Sequence, residues 1–238
     1  SGPFNCLRKV YMSLPLPWEA IDTVLLDMDG TLLDLYFDNH FWLKHLPDTY
    51  AMYKGIPLEA AHQELVDRFA KEQGTLNWYC LDYWSAELDL DIVAHKHELA
   101  HLIQPRVGAS EFIEAVTNSG REAWLVTNAH HSSLSLKLDH SPFLQYCERI
   151  ICSHDFKMPK EHPEFWAALQ QRDNFDPART LFIDDSESVL RSAERFGIAH
   201  LLTVAQPDSQ RPPREGLHFP ALQHFDDLLP IPVRTGFL

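Results

Sequence analysis

Residues 23–31 read Thr-Val-Leu-Leu-Asp-Met-Asp-Gly-Thr. An apolar, β-branched run leads into Asp27, the pattern of a buried parallel strand that ends on a polar residue. In an open α/β sheet, ligands bind outside the carboxyl ends of the strands, so Asp27 stands where a ligand is met. Asp29 lies two residues on, and an extended chain points both carboxylates the same way. Gly30 permits the sharp turn that follows. Two acids this close repel unless a cation or a shared proton relieves them. Asp and Gly are also common in solvated strand-end turns, so the segment alone fits either a turn or a catalytic site.

Further along the chain, four more apolar runs predict buried strands: residues 123–127 (AWLVT), 149–152 (RIIC), 180–184 (TLFID) and 200–204 (HLLTV). Ser110 is a candidate cap for a helix carrying Phe112, Ile113 and Val116, stopped at Gly120. Ser186 is a candidate cap for another with Val189, Leu190, Ala193 and Phe196, stopped at Gly197. Strands alternating with helices predict an α/β fold with a doubly wound parallel sheet. The gap between the first two strands is too long for one crossover and reads as helix throughout. Pro57 suits the first turn of a helix presenting Leu58, Ala61, Leu65 and Phe69 and ending near Gly74. Asp91 is a candidate cap for a helix with Leu99 and Leu102. The expectation is a core of residues 18–38 and 106–238 with a helical cap domain, 39–105, inserted after the first strand. Residues 206–220 read as a loop and 221–229 as a short closing helix. Internal repeats and low-complexity tracts are absent.

The other strand ends decide between turn and site. The second strand closes on Thr127-Asn128, a hydroxyl donor beside exposed backbone N–H groups. The fourth closes on Asp184-Asp185. Lys160 stands between them, just before a helix start at Pro163. One set of groups is acidic and suits a hard divalent ion; the other, a hydroxyl and an ammonium, suits phosphate oxygens.

Composition narrows the class. With 238 residues, 45% of them hydrophobic, the chain can bury a substantial core. Thirty-four acids against twenty bases give a net charge of -14, which disfavours a nucleic-acid polymer as partner. A small phosphate ester needs only a local positive site. No apolar run approaches the ~20 residues of a membrane helix, and prolines and an acid interrupt residues 11–20, so neither a membrane nor a signal peptide is expected. Cys6, Cys80, Cys147 and Cys152 have no CxxC spacing and read as reduced thiols of a cytoplasmic protein. Ser1 and Gly2 read as a cloning scar.

DMDGTLLD at 27–34, VTN at 126–128, Lys160 and FIDD at 182–185 resemble the four ordered motifs of the haloacid-dehalogenase-like superfamily. The resemblance spans residues 22 to about 205 and implies a Rossmann-like core with an inserted α-helical cap. It implies that Asp27 attacks phosphorus to form an aspartyl-phosphate and that Asp29 protonates the leaving oxygen, then deprotonates water. Thr127, Lys160 and the Asn128 backbone would hold the phosphoryl group. Mg²⁺ would be bound by Asp27, the Asp29 carbonyl and Asp185, with Asp184 a second candidate. Many members place another Asp or Asn three or four residues after the acid pair. Here those positions are Ser188 and Val189, with Glu187 a candidate substitute. A second carboxylate fits ester hydrolysis or phosphoryl transfer between sugar hydroxyls rather than dehalogenation, which has no alkoxide to protonate, and of the two hydrolysis is the expectation.

DLYFDNHFW at 34–42, TLNWYCLDYW at 75–84 and TLFIDDSE at 180–187 resemble the bacterial GMP/IMP nucleotidase branch. This implies a small phosphomonoester substrate, a purine nucleotide, with GMP and IMP ahead of AMP. The alternatives are small sugar phosphates or phosphoglycolate-like acids and, in another class, a binding protein without turnover. The intact Asp27 argues against the last, since a binder needs no nucleophile. Aromatics such as Trp78 suit either base stacking or the cap's own core. Asn39 and Asn77 are candidate donors to a purine 6-oxo group. His95, His97 and His101 read as a solvated face rather than a zinc site, and His130 and His131 as pocket borders.

Overall fold

A computed structural model describes residues 14–236; Ser1, Gly2 and Cys6 lie outside them. Six parallel strands form one sheet in the order β3-β2-β1-β4-β5-β6. They are β1 (Thr23–Leu26), β2 (Glu122–Thr127), β3 (Arg149–Cys152), β4 (Thr180–Ile183), β5 (His200–Val204) and β6 (Ala221–Leu222). All four residues of β1 and of β4 are buried, as expected of parallel strands covered on both faces. Alternate residues feed two cores. Val24, Leu26, Leu125 and Ile183 pack with α6 (Ala109–Asn118) and α7 (His131–His140) on one face. Leu25, Trp124, Val126 and Phe182 pack with α8 (Pro163–Arg172) and α9 (Glu187–Phe196) on the other. The order reverses at β1, whose Leu26 pairs with Leu125 of β2 and Ile183 of β4. The carboxyl ends of these three strands therefore lie side by side, at the switch point where such sheets bind ligands.

The described elements between β1 and α6 are all helical: α1 (Tyr36–His40), α2 (Leu46–Lys54), α3 (Leu58–Glu72), α4 (Leu81–Leu88) and α5 (Ile92–Glu98), with short 3-10 turns. They enclose an apolar cluster of their own, built on Phe41, Leu46, Tyr50, Leu65, Trp84 and Ile92. A π-turn over Phe41–His45 joins α1 to α2. The Asp91 side chain caps α5 by accepting from the Ala94 N–H, and Ser186 caps α9 by accepting from Val189.

Several expectations need correction. α6 starts at Ala109 behind Gly108, so Ser110 sits inside the first turn instead of capping it. α5 stops at Glu98, leaving Leu99 and Leu102 to a following 3-10 turn. Residues 221–229 hold an edge strand, paired to β5 through Thr203 and Val204, and only a short 3-10 turn at Phe225–Leu228. A two-residue strand is too short to show an alternation. Cys80, Cys147 and Cys152 are free thiols, and burial pushes Cys147 up to about 12 and Cys152 up to about 11. No helix among the described residues is long and apolar enough to cross a membrane.

Candidate active site

At or just past the ends of β1, β2 and β4 stand Asp27, Thr127 and Asp184, each at most 6% exposed. Lys160 reaches them from the loop before α8. Its ammonium donates to Asp27 Oδ1 at 2.9 Å, Asp184 Oδ2 at 2.7 Å and the Val126 carbonyl at 2.9 Å. The loop is fixed from two sides. The Lys160 N–H donates to Asn128 Oδ1, and the buried Trp166 indole donates to the Lys160 carbonyl at 3.0 Å. Burial opposes the Lys160 charge, but Asp184 and Asp27 outweigh it and hold the ammonium above its ordinary value. Thr127 Oγ1 accepts from the Ala129 N–H, which leaves the hydroxyl hydrogen available to an anion.

Asp27, Asp184 and Asp185 bring one carboxylate oxygen each to within 4.8 Å of one another. Burial, then the charge of Asp27, pushes Asp184 up to about 7. The same causes, joined by Asp184, hold Asp185 well above the carboxylate range. Two buried carboxylates and a half-buried third, with one ammonium held by Asp27 and Asp184, form an all-oxygen, electron-rich nook, the donor set of a hard divalent cation. Gly30 makes the nook possible: at φ +84° a Cβ there would lie 2.5 Å from Asp185 Oδ2.

Asp29 occupies a different setting. Its carboxylate is not one of the acidic trio and accepts from Lys137 of α7, which also donates to both oxygens of Asp38 at 2.8 Å. Lys96 of α5 completes the chain at 3.5 Å from Asp38 and 3.4 Å from Ser133. Burial, followed by the charge of Asp38, raises Asp29 to about 6 despite Lys137. Asp38 is likewise penalised by burial, yet Lys137 and Lys96 outweigh that and hold it low. Of the two carboxylates sharing Lys137, Asp38 keeps the charge and Asp29 takes a proton more readily. Sequence reading missed Lys96 and Lys137. The available signal was phase: Lys137 and Lys96 sit in step with buried Leu134 and Ile92 on their helices, where an apolar residue is expected.

A cavity of about 350 Å³ joins these groups to the helical insert. Its floor carries Asp27, Asp29, Thr127, Asn128, Lys160, Asp184 and Asp185; Trp42, Leu43, Phe69, Trp78 and Tyr79 form the roof. Tyr79 donates to Glu161, which accepts in turn from Asn128. Trp78 packs edge-on against Phe69. Asn39 lines the cavity, but its amide donates to the buried Asp208 at 2.8 Å. Asn77 is exposed, is not among the cavity's lining residues, and its amide points to Glu72. Glu187 is not at the acidic trio either; it accepts from the N–H groups of His218 and Phe219. His130 borders the cavity and pairs with Asp82, whereas His131 pairs with Asp155.

Comparison with known proteins agrees with this architecture. The GMP/IMP nucleotidase YrfG of Escherichia coli (strain K12) is 41% identical over 219 residues, covering 92% of this chain and 99% of that protein. The YrfG protein of Shigella flexneri matches to the same extent. Among solved structures, a HAD phosphatase from Thermococcus onnurineus superposes with a TM-score of 0.70 at 19% identity, over 84% of this chain and 93% of that one. The putative HAD-hydrolase YfnB of Bacillus subtilis gives 0.62 at 20% identity, over 87% and 96%. These two likenesses speak for the fold. The sequence profile described as haloacid dehalogenase-like hydrolase matches residues 24–203, from the first residues of β1 to the end of β5, and so the chain is an enzyme that belongs to the haloacid dehalogenase-like hydrolases.

Proposed function

We propose that the protein is a Mg²⁺-dependent phosphomonoester hydrolase that works through an aspartyl-phosphate on Asp27 and acts on purine 5′-monophosphates. One observation carries the chemistry: two carboxylates two residues apart have opposite surroundings. Asp27 faces Lys160 and the acidic trio, while Asp29 is set apart with a raised proton affinity. Environments that separate a pair of titratable groups mark a nucleophile and an acid.

In the first step an oxygen of Asp27 attacks phosphorus and the ester P–O bond breaks. Asp29 gives its proton to the departing alkoxide oxygen. Lys160 and Thr127 balance and orient the phosphoryl oxygens. In the second step water attacks the acyl phosphate and loses a proton to Asp29, and inorganic phosphate leaves with Asp27 restored. The trio fits a magnesium ion, because its donors are hard oxygens whose mutual repulsion a cation would relieve. Asp27, Asp184 and Asp185, with the Asp29 carbonyl, are the residues that would hold it. When bound it would offset charge on the transferring phosphoryl group.

The floor recognises only phosphate, so selectivity falls to the roof, for which residues 39–105 serve as a cap domain. Its aromatic lining suits a flat base, and the curated relatives are named for GMP and IMP. Free, buried thiols of raised pKa suit a cytoplasmic setting. The test is kcat/KM across GMP, IMP, AMP, UMP and sugar phosphates at fixed Mg²⁺, with Asp27→Asn beside the wild type. GMP and IMP are expected to lead and the variant to be inactive while folded. A sugar phosphate ahead of GMP by about tenfold, roughly 1.4 kcal/mol, would remove the nucleotidase reading. Turnover by folded Asp27→Asn would remove the mechanism.

A further inference from the structure

Among the described residues a second group of ligating side chains converges outside the cavity floor. His45, His95 and Glu98 bring one ligand atom each to within 4.8 Å of one another. His45 Nε2 and His95 Nδ1 are shut off from solvent and have no hydrogen-bond partner. Both face the same oxygen of Glu98, at 3.7 and 3.6 Å. An N–H···O bond would close to ~2.7–3.2 Å. Ligands of a tetrahedral zinc, each ~2.0–2.1 Å from the metal, stand ~3.3–3.4 Å apart. The observed spacing lies nearer the second arrangement. Two imidazole nitrogens shut off from solvent, without a hydrogen bond and aimed at one carboxylate, are costly to leave without a ligand.

The backbone supplies an independent observation. His45 closes the π-turn of Phe41–His45, where the Leu46 N–H reaches back five residues to the Phe41 carbonyl. Such turns add a residue to a helix at a cost and concentrate at functional sites. His95 and Glu98 lie three residues apart on α5, so they share a face. His97 and His101, in the same stretch of sequence, are exposed and take no part; the solvated-face expectation holds for them and fails for His95.

We infer that His45, His95 and Glu98 form a zinc-class metal site, a two-nitrogen, one-oxygen set with an open fourth position, that pins α5 to the π-turn between α1 and α2. It differs in kind from the acidic trio, since imidazole donors select borderline transition metals and carboxylates alone select Mg²⁺.

The experiment uses the whole chain, stripped with chelator and kept in millimolar Mg²⁺ so that the acidic trio does not compete. Zinc chloride is titrated by calorimetry, and thermal unfolding is followed with and without it. One zinc per chain is expected to bind with a Kd of about 10 µM or tighter, and to raise the Tm by several degrees through mass action. His95→Ala and Glu98→Gln should each weaken binding by at least about tenfold and remove most of the Tm shift. Glu98 is 60% exposed, so its substitution does not threaten the fold. His97→Ala/His101→Ala should bind like the wild type. The inference is overturned if zinc binds no tighter than about 100 µM, or if Glu98→Gln and His95→Ala keep affinity within about threefold of the wild type. Loss of binding in His97→Ala/His101→Ala with retention in Glu98→Gln would overturn it equally.

Discussion

Lys137 is 1% exposed and satisfies two carboxylates from different parts of the chain. Lys137→Met would leave the half-buried Asp38 and Asp29 facing one another with only Lys96, 3.5 Å from Asp38, as a nearby cation. A stability loss of ~3–5 kcal/mol is expected, the usual cost of removing one partner from a buried charge group, read as a lower denaturant midpoint. The same variant should slow GMP hydrolysis, because Asp29 loses the ammonium that aims it. Asp29→Asn should slow it by roughly 10²–10⁴-fold, the size of acid–base assistance. Both variants should lose less on p-nitrophenyl phosphate, whose leaving group needs no proton, although the second step still calls on Asp29. Equal losses on both esters would assign Asp29 a structural part only. Gly30→Ala meets a different obstacle. The left-handed backbone costs ~1–2 kcal/mol with a Cβ, and the added carbon displaces Asp185. The Mg²⁺ concentration for half-maximal rate should therefore rise; an unchanged value would show that Asp185 does not need this close approach.

At the scale of elements, the strand readings agree with the structure to within a residue because each parallel strand is a short apolar run between polar ends. The helical insert was legible from period and from Asp91, whose carboxylate does cap α5. β6 and the glycine-led start of α6 were not, because two residues carry no alternation and Ser110 competes poorly with Gly108 for the cap position. The floor was readable for a related reason: Asp27, Thr127, Asp184 and Asp185 sit at or just past strand ends, which topology brings together. Lys96 and Lys137 were opaque, since a helical lysine is read as solvated unless its partner is known, and Lys137 meets Asp29 across 108 residues of sequence. α8 holds the Lys160 loop through Trp166, which is fully buried and donates to Lys160 and Ser192. Trp166→Phe keeps most of the ring and removes that donor. A loss of about 1–3 kcal/mol is expected from the unpaired Lys160 carbonyl, together with a reduced kcat on every ester. Wild-type kcat in the variant would show that the loop is held without it.

For the molecule as a whole, the acidic trio links metal, proton and stability. Burial and the charge of Asp27 push Asp184 up to about 7 in the folded chain against an ordinary 3.8. Its folded pKa is the higher one, so in metal-free protein its contribution to stability falls as pH rises from about 4 to about 7. Asp22 has the opposite sign: Arg179, partly offset by burial and aided by Arg234, holds it at about 2. Its contribution is present above about 4 and is lost on acidification toward 2. Binding Mg²⁺ should release protons near neutrality, and the Tm gained from Mg²⁺ should grow between about pH 5 and pH 8. Calorimetry in buffers of different ionisation enthalpy measures the release; none at pH 6.5 would contradict Mg²⁺ binding at these carboxylates. The separate apolar cluster of the insert has a consequence for how new specificities arise. Phe41, Leu46, Leu65, Trp84 and Ile92 support the roof without belonging to either core beneath the floor. Changes in distant, unshared packing add independently. A lineage, or a laboratory library restricted to Trp42, Leu43, Phe69 and Trp78, can thus exchange one leaving group for another through many viable intermediates, with the reacting groups inherited intact at each step.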